Sequence, residues 1–391
     1  MPMAHPPASP IYLDHNATTP VDPKVWAAIE PHLTSAFGNP SSVEHEHGHL
    51  AALAVDRARQ QVAKAIGAQP KEIVFTGSST EANNLAILGV ARASLDKKHI
   101  ITSAIEHPSV LEPCRALERQ GWRVTYLPVD DLGRVSLDAL NDAISPETVL
   151  VSIMAANNEV GTLHPITAIG ALCAERNVLF HTDMAQLIAY GHADVVKDNI
   201  HLATLSAHKA YGPKGIGALY VRARRPRPRL EPMIFGGGQE RGLRPGTLNT
   251  PFIVGMGAAF ELAAARWRED SARLRTMCNA FRDTVLTGIP GALLNGHPSE
   301  RLASNISFSI PGVEPLALIR SMREHASFSA SSACATDKVE TSHVLRAMFG
   351  ETPRARQAFR ISPGRFTAEA DFQTIASLIV ETASGLRRMA A

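Results

Sequence analysis

The chain has 391 residues, of which 45% are hydrophobic and 19% are charged, a composition typical of a folded globular protein. Its 39 basic and 37 acidic residues give a net charge of +2, which argues against the broad basic surface of a general nucleic-acid-binding protein. No apolar run reaches the length of a membrane span, and the N-terminus lacks the apolar stretch of a signal peptide. We therefore expect a soluble, cytoplasmic protein with no direct binding to nucleic acid or membrane.

Short β-prone runs alternate with helix-length segments over the first half of the chain. The first long predicted helix is 50–66, and the predicted strands are 72–76, 99–102, 123–127, 149–154, 178–181 and 202–205. This alternation predicts an α/β domain with a mainly parallel sheet.

Near residue 252 the pattern changes to long helices, including 260–286, and a strand-like run follows at 304–309. A chain of this length favours more than one structural unit. We predict a large α/β domain over 17–262 and a smaller α+β domain formed by 1–16 and 263–391.

Polar side chains cluster where the predicted strands end, which is where open α/β sheets bind ligands. Small and hydroxyl-bearing residues before a helix, such as Ser79 and Thr80, present backbone N–H groups to a phosphate. The other strand ends supply His107, Asn158, Asp183, Gln186, Ser206, His208 and Lys209. A phosphate loop, an aromatic base, an amide, a carboxylate and a lysine suit an aldehyde cofactor that carries a phosphate and a protonatable ring nitrogen.

Two lysines compete for the covalent link to such a cofactor. Lys209 follows Ser206 and His208, whose side chains suit a phosphate, and it comes directly after a buried-type strand. Burial lowers the pKa of a lysine and favours the neutral amine that attacks an aldehyde. Lys214 lies in a Gly-Pro-Lys-Gly segment that is typical of an exposed turn. We therefore predict that Lys209 carries the cofactor.

Motifs along nearly the whole chain resemble those of cysteine desulfurases of the NifS/IscS type, within the class V aminotransferase-like enzymes of fold-type I. The matching segments are 12–20 (YLDHNATTP), 37–42 (FGNPSS), 75–81 (FTGSSTE), 106–107 (EH), 157–161 (NNEVG), 206–209 (SAHK), 211–215 (YGPKG), 236–242 (GGGQERG), 244–247 (RPGT), 331–334 (SSAC) and 360–366 (RISPGRF).

This resemblance implies a pyridoxal 5′-phosphate enzyme. It implies that Asp183 pairs with the ring nitrogen, and that His107 stacks on the ring and transfers protons. Thr247 is implied to reach the phosphate bound in a second subunit, so we expect a homodimer. The full set implied for cofactor binding is Ser79, Thr80, Asn158, Asp183, Gln186, Ser206, His208, Lys209 and Thr247.

The resemblance also implies that the substrate is L-cysteine, with Asn158 and Arg360 receiving its carboxylate. Cys334 would be the nucleophile that takes the substrate sulfur as a persulfide and releases alanine. Cys334 lies in a run of small residues at 329–336, which predicts a loop. The other cysteines, Cys114, Cys173 and Cys278, fall in helix-like stretches and are expected to be buried.

Metal and disulfide chemistry are not expected. The four cysteines show no zinc-like spacing, and a chain this long rarely depends on a disulfide framework. The run His45-Glu-His-Gly-His49 places at most two histidines on one helical face. We therefore predict no metal site.

A few positions depart from the family pattern. Ser78 and Ser331 stand where glycine is usual, Gln239 replaces a common histidine, and Met184 varies a small-residue turn. None of these changes removes a reacting group. The chain also ends without the longer tail with which housekeeping members dock the iron–sulfur scaffold. The acceptor protein is therefore open, with iron–sulfur cluster assembly, DNA phosphorothioation and tRNA thiolation as candidate destinations for the sulfur.

Four other functions are compatible with parts of the sequence. A selenocysteine lyase or a class V aminotransferase would share Lys209 and the phosphate loop, but an aminotransferase needs no thiol such as Cys334. A catalytically silent partner protein is disfavoured by the intact reacting groups. A DNA-binding regulator is disfavoured because no added basic or helix-turn-helix region is visible.

Overall fold

The computed structural model of the protein describes residues 10–330 and 341–390. Its strands are β1 (Ile11–Tyr12), β2 (Ile73–Thr76), β3 (His99–Ser103), β4 (Arg123–Leu127), β5 (Thr148–Ser152), β6 (Leu179–Asp183), β7 (Leu202–Ser206), β8 (Gly217–Val221), β9 (Leu293–Asn295), β10 (Ile306–Ser309), β11 (Ala326–Ser327), β12 (Ser329–Ala330) and β13 (Ala358–Ile361). Its α-helices are α1 (Pro23–Thr34), α2 (Glu46–Ala65), α3 (Ser79–Ala93), α4 (Pro108–Glu118), α5 (Leu137–Ala143), α6 (Ile166–Glu175), α7 (Thr250–Gly288), α8 (Pro315–Met322), α9 (His343–Phe349), α10 (Pro353–Arg356) and α11 (Glu369–Ala390).

A seven-stranded sheet forms the centre of the molecule, with the strand order β2-β8-β7-β6-β5-β3-β4. Strand β8 runs antiparallel to both of its neighbours, whereas the pairs from β7 to β4 are parallel. Apolar side chains of β2, β3, β5, β6 and β7 are buried on both faces, as expected for a sheet covered by helices. The predicted α/β class with a mainly parallel sheet is confirmed.

The predicted strands of the large sheet agree with the structure to within two residues at each end, but β8 was missed. Its sequence, Gly-Ala-Leu-Tyr-Val, is fully buried. The Gly-Pro-Lys-Gly segment at 212–215 predicts an exposed turn, and Gly217 just after it weakens the strand pattern. Burial between β2 and β7, rather than local propensity, makes this short segment a strand.

The C-terminal part of the chain builds a four-stranded antiparallel sheet with the order β12-β13-β10-β9. Strand β1 pairs in parallel with β11, so the beginning of the described chain joins this part of the molecule. The division into domains at 262/263 stays a prediction. That position falls inside α7, which is one continuous helix of 39 residues.

A buried arginine holds three distant segments together. Arg365 donates from Nε to Asp270 on α7 at 2.8 Å and from Nη1 to Asp22 before α1 at 3.0 Å. Its guanidinium also lies over the ring of Tyr211, 4.4 Å from the ring centroid. Because an unpaired buried charge is costly, this pairing fixes the segment after β13 against the large sheet. Among the described residues, no helix is long and apolar enough to cross a membrane.

Candidate active site

The predicted site residues converge at the carboxyl ends of β6 and β7. Asp183 is the last residue of β6 and Ser206 is the last residue of β7. The two strands pair in parallel, with Asp183 opposite Thr204, so their ends lie at the same edge of the sheet. Lys209 lies in the turn that directly follows β7.

Lys209 is half-buried at this edge and is held by main-chain carbonyls. Its Nζ donates to the carbonyl of Asn16 at 2.5 Å and to that of Ala17 at 2.6 Å. Burial lowers the pKa of Lys209 to about 8, and the positive charge of Arg360 adds to this effect. A lysine with this pKa supplies a useful fraction of neutral amine near physiological pH. Lys214, in contrast, is exposed.

Asp183 is almost completely buried, and both of its carboxylate oxygens accept a hydrogen bond. Oδ1 accepts from the backbone N–H of Ala185 at 2.9 Å. Oδ2 accepts from Nδ2 of Asn83 on α3 at 2.8 Å. Because these donors fix the carboxylate plane, Asp183 presents a preorganised negative charge beside Lys209.

The predicted phosphate loop ends at the N-terminus of α3. Ser79 is the first residue of this helix, and the side chain of Ser78 caps it by accepting the N–H of Glu81 at 3.1 Å. Strand β8 passes directly beneath: a Cβ at Gly217 would lie 2.8 Å from the nitrogen of Ser79. Only glycine allows this approach. The helix therefore begins at the same sheet edge as Lys209 and points its positive end there.

Two further predicted phosphate ligands lie at the end of β7. The hydroxyl oxygen of Ser206 is buried and has no hydrogen-bond partner among the described residues. His208 places Nδ1 3.1 Å from the hydroxyl of Thr18, and burial lowers its pKa to about 4. A neutral His208 and an unpaired Ser206 hydroxyl are groups that can still donate to an anion.

His107 caps the N-terminus of α4 with its own imidazole. Nδ1 accepts the backbone N–H of Ser109 at 3.1 Å and lies 2.8 Å from the Ser109 hydroxyl. Partial burial lowers the pKa of His107, and nearby Asp183 opposes this change while Lys209 promotes it. The side chain itself is accessible from solvent.

Gln186 and the N-terminal segment complete the surroundings of Lys209. The Gln186 Nε2 donates to the Asn16 carbonyl at 2.9 Å, and its Oε1 accepts from Asn16 Nδ2 at 3.0 Å. One carbonyl, that of Asn16, thus accepts from both Gln186 and Lys209. The structure brings the two predicted residues together through a segment that lies far away in the sequence.

Arg360 is buried at the other side of this segment, on β13. It donates to Asp14 Oδ1 at 2.5 Å, to the backbone carbonyl of Asn158 at 3.0 Å and to Ser329 Oγ at 3.3 Å. Its Nε has no hydrogen-bond partner in the described part of the chain. The predicted carboxylate ligands Arg360 and Asn158 are therefore adjacent, and the fork of Arg360 is already paired with an acidic side chain.

Two predicted residues are not placed in this cluster. Thr247 is exposed, between Arg244, which pairs with Glu81 at 3.0 Å, and α7. Cys334 lies outside the described residues. The described chain stops at Ala330 on β12 and resumes before Ser342, which donates to Glu159 at 2.5 Å.

The comparisons with known proteins agree with this geometry. The aminotransferase class-V family model matches residues 11–373. The chain belongs to the aminotransferase class-V family.

Within this family, the chain is similar to cysteine desulfurases and to NifS-like proteins. The chain is 45% identical to the cysteine desulfurase IscS of Rickettsia bellii, over 97% of this chain and 92% of that protein. A solved NifS-like protein superposes with a TM-score of 0.89 at 35% identity, covering 96% of this chain and all of the other. A structure of SspA in complex with cysteine superposes with a TM-score of 0.80 at 38% identity, covering 92% of this chain. The predicted resemblance to cysteine desulfurases is confirmed.

Class V aminotransferases use pyridoxal phosphate, and the residues of this class V enzyme fit that cofactor. The Ser206 hydroxyl, which is buried and has no partner among the described residues, and the N-terminus of α3 suit its phosphate. Asp183 suits a protonated ring nitrogen, and Lys209 suits an aldehyde. Within residues 10–330 and 341–390, no group of three or more His, Cys, Asp or Glu side chains is arranged to hold a metal ion. In the histidine run 45–49, Nδ1 of His45 accepts the N–H of Gly48 at 3.1 Å and so caps the N-terminus of α2.

The structure also adds residues that sequence reasoning missed. Asn16 and Ala17 hold Lys209, Asp14 pairs with Arg360, and Asn83 and Ser109 contact Asp183 and His107. Asp14, Asn16 and Ala17 lie in the segment 12–20, which is one of the motifs shared with cysteine desulfurases. The sequence His107-Pro-Ser109 carries a helix-start signal, because proline favours the first helical position.

Proposed function

We propose that this class V enzyme is a pyridoxal-phosphate-dependent cysteine desulfurase. It converts L-cysteine to L-alanine and retains the sulfur as a persulfide on Cys334. The observation that carries the proposal is the convergence of Lys209, Asp183 and the α3 N-terminus at one sheet edge. The names of the relatives support the choice of substrate, because the protein from Rickettsia bellii is a cysteine desulfurase.

The resemblance to cysteine desulfurases supplies the proposed cofactor-binding roles, and the surroundings of Lys209 and Asp183 support two of them. Lys209 holds the aldehyde carbon, Asp183 binds the ring nitrogen, and Gln186 binds the ring hydroxyl. When bound, the cofactor withdraws electrons from the substrate and so activates its C–H and C–S bonds. The proposed phosphate ligands are the backbone and side chains of Ser79 and Thr80, the side chains of Ser206 and His208, and Thr247 of a second copy.

Substrate binding uses the groups around Arg360. The substrate carboxylate would replace Asp14 on the guanidinium, and Asn158 lies next to it. Because an arginine fork binds a carboxylate with two parallel hydrogen bonds, this exchange orients the substrate as well as holding it. His107 is close enough to Asp183 and Lys209 for their charges to affect its pKa, and its Nε2 is the atom proposed to exchange protons with the substrate.

The sulfur transfer step requires a thiolate. The Cys334 thiolate attacks the substrate sulfur, the substrate C–S bond breaks with its electron pair left on carbon, and a new S–S bond forms. The carbon then takes a proton, and the product leaves as alanine. The three described cysteines are poor candidates, because burial raises the pKa of Cys114, Cys173 and Cys278 to about 12 in each case.

Incubation of the purified holoenzyme with L-cysteine tests the proposed activity. We expect alanine to form in step with sulfide when a reducing thiol is present, because the reductant releases the persulfide sulfur. An aminotransferase would instead yield a keto acid and require an amino acceptor. Keto acid without alanine, or turnover of selenocysteine but not of cysteine, would contradict the proposal.

The physiological sulfur acceptor is proposed to be a protein, with the three destinations given above left open. A persulfide can pass its outer sulfur to another thiol by thiol exchange, without release of free sulfide. We place this reaction in the cytoplasm, because a thiol-based sulfur carrier needs a compartment that keeps cysteines reduced. Capture of an acceptor protein tests this point. The persulfide-loaded enzyme should capture the acceptor, and reduction of the persulfide beforehand should abolish this capture.

The enzyme is proposed to be a homodimer. A group of large apolar side chains is exposed around the start of α2, namely Phe37, Val43, Leu50 and Leu53. We propose that these side chains form part of the interface with a second copy, because exposed apolar side chains are suited to burial between subunits. Light scattering should give twice the mass of the chain, and the double variant Leu50→Glu/Leu53→Glu should lower it to that of one chain.

Leu95, which is also exposed and lies beyond the end of α3 that is opposite the site, provides the matched control. Leu95→Glu should leave the mass of the assembly unchanged. A wild-type protein that is monomeric while binding cofactor and turning over cysteine would refute both the dimer and the role of Thr247.

A further inference from the structure

A continuous chain of hydrogen bonds joins Asp183 to His107 through two residues that the proposed mechanism does not use. Asn83 Nδ2 donates to Asp183 Oδ2 at 2.8 Å and to Ser109 Oγ at 2.8 Å. Ser109 Oγ in turn lies 2.8 Å from His107 Nδ1. Asn83 is fully buried and Ser109 is 8% exposed, so water does not compete for the two bonds that the Asn83 amide donates.

The direction of each bond follows from the chemistry of the groups. A carboxylate only accepts, so the amide nitrogen of Asn83, and not its oxygen, must face Asp183. Its second N–H then points to Ser109 Oγ. The Ser109 hydroxyl has a single proton, and with Asn83 donating to its oxygen, that proton is available for His107 Nδ1.

A second donor fixes the state of the imidazole independently. The backbone N–H of Ser109, which can only donate, points to His107 Nδ1 at 3.1 Å. Nδ1 therefore accepts from both groups of Ser109 and carries no proton. A neutral imidazole with an unprotonated Nδ1 has its proton on Nε2.

The oxygen of the Asn83 amide has no hydrogen-bond partner among the described residues, whereas both of its N–H groups are bonded. This indicates that the role of Asn83 lies in its two N–H donors. Asn83 Oδ1 is buried and has no partner among the described residues. Such a group costs free energy, and an apolar residue of the same size would avoid that cost. The two N–H bonds, to Asp183 and Ser109, are what this asparagine provides.

We propose that Asn83 and Ser109 are positioning residues that hold His107 as its Nε2–H tautomer and couple it to the Asp183 carboxylate. This inference rests on the proposed function, in which Nε2 of His107 exchanges protons with the substrate. A fixed tautomer places the transferable proton on that nitrogen before the substrate binds. It also ties the orientation of the imidazole to the carboxylate that holds the cofactor ring.

The electrostatic surroundings agree with a neutral His107. Partial burial lowers the pKa of His107, as do Lys209 after β7 and His343 on α9, whereas Asp183 on β6 raises it. The Ser109 hydroxyl donates to the neutral form only, so its removal should raise the pKa of His107. A single neutral hydrogen bond corresponds to a shift of roughly half to one pKa unit.

Nitrogen-15 NMR of the full chain, prepared without cofactor and labelled at histidine, tests the proposal. The His107 signal is assigned by its loss in His107→Gln. In the wild type we expect Nδ1 to be unprotonated and Nε2 to be protonated. In Ser109→Ala the pKa of His107 should rise by roughly half to one unit, and Ser109→Thr, which restores a hydroxyl, should reverse this rise.

Asn83→Ala should shift the His107 signal in the same direction as Ser109→Ala, since Ser109 loses its donor. Asn84 lies on the same helix, and its side chain bonds to the Thr80 carbonyl at 2.9 Å, so Asn84→Ala should leave the signal unchanged. A protonated Nδ1 in the wild type, or an unchanged tautomer and pKa in both Ser109→Ala and Asn83→Ala, would overturn the proposal. These spectra are independent of turnover, so a failure to form alanine from cysteine would contradict the proposed function alone.

Discussion

Replacement of Lys209 by alanine is expected to abolish the visible absorption of the bound cofactor and to stop the conversion of L-cysteine. The amine of Lys209 is the group that links an aldehyde cofactor covalently. Its environment favours this role, because burial lowers its pKa to about 8. Loss of a covalent catalytic group of this kind lowers turnover by roughly a thousand-fold or more.

Lys214→Ala is the matched control for this variant. Lys214 is exposed in the turn that precedes β8, and its removal should preserve both the absorption and the activity. The opposite result, with absorption lost in Lys214→Ala and kept in Lys209→Ala, would refute the assignment. Absorption spectra of the two purified variants, recorded at equal cofactor content, distinguish these outcomes.

The lowered pKa of Lys209 also predicts how cofactor loading depends on pH. The neutral amine is the reactive form, and its fraction increases as the pH rises through about 8. Below that pH the protonated amine is held by the carbonyls of Asn16 and Ala17 and does not react. The rate of reconstitution of the apoenzyme should therefore increase with pH up to about 8 and level off above it.

The positions of Asp183, Ser206 and Lys209 were predictable from the sequence because each depends on local pattern. A short β-prone run predicts a strand, and parallel strands bring their carboxyl ends to one edge. Once the strands are placed, the polar residues that follow them must lie close together. This reasoning needs no knowledge of contacts between distant segments, and the structure places all three residues at the ends of β6 and β7.

The contacts that complete the site were not predictable in this way. The bond from Lys209 to the Asn16 carbonyl joins residues 193 positions apart, and Arg360 pairs with Asp14 across 346 positions. Such pairs depend on how β1 and β13 pack against the large sheet, which local periodicity does not encode. The link through Asn83 was not predictable for a related reason. An asparagine inside a helix usually faces solvent, whereas the packing of α3 against the large sheet buries this one.

Replacement of Cys334 by serine is expected to allow binding of the cofactor and of cysteine but to abolish persulfide formation. A serine hydroxyl is nearly the same size as the thiol, but it is a much weaker nucleophile and its oxygen cannot carry the sulfur as a persulfide. Alanine and sulfide production should fall by roughly two orders of magnitude or more, as for the loss of the nucleophile in other enzymes with covalent catalysis.

Mass spectrometry identifies the sulfur carrier directly. After brief exposure of the wild type to L-cysteine, the peptide that contains Cys334 should gain one sulfur atom. The described cysteines are expected to remain unmodified, because a thiol whose pKa is raised to about 12 by burial is almost never a thiolate near neutral pH. Cys173→Ala is the matched control: it removes a fully buried thiol and should retain the persulfide and the activity. Extra sulfur on Cys114, Cys173 or Cys278, or normal turnover by Cys334→Ser, would show that Cys334 is not the carrier.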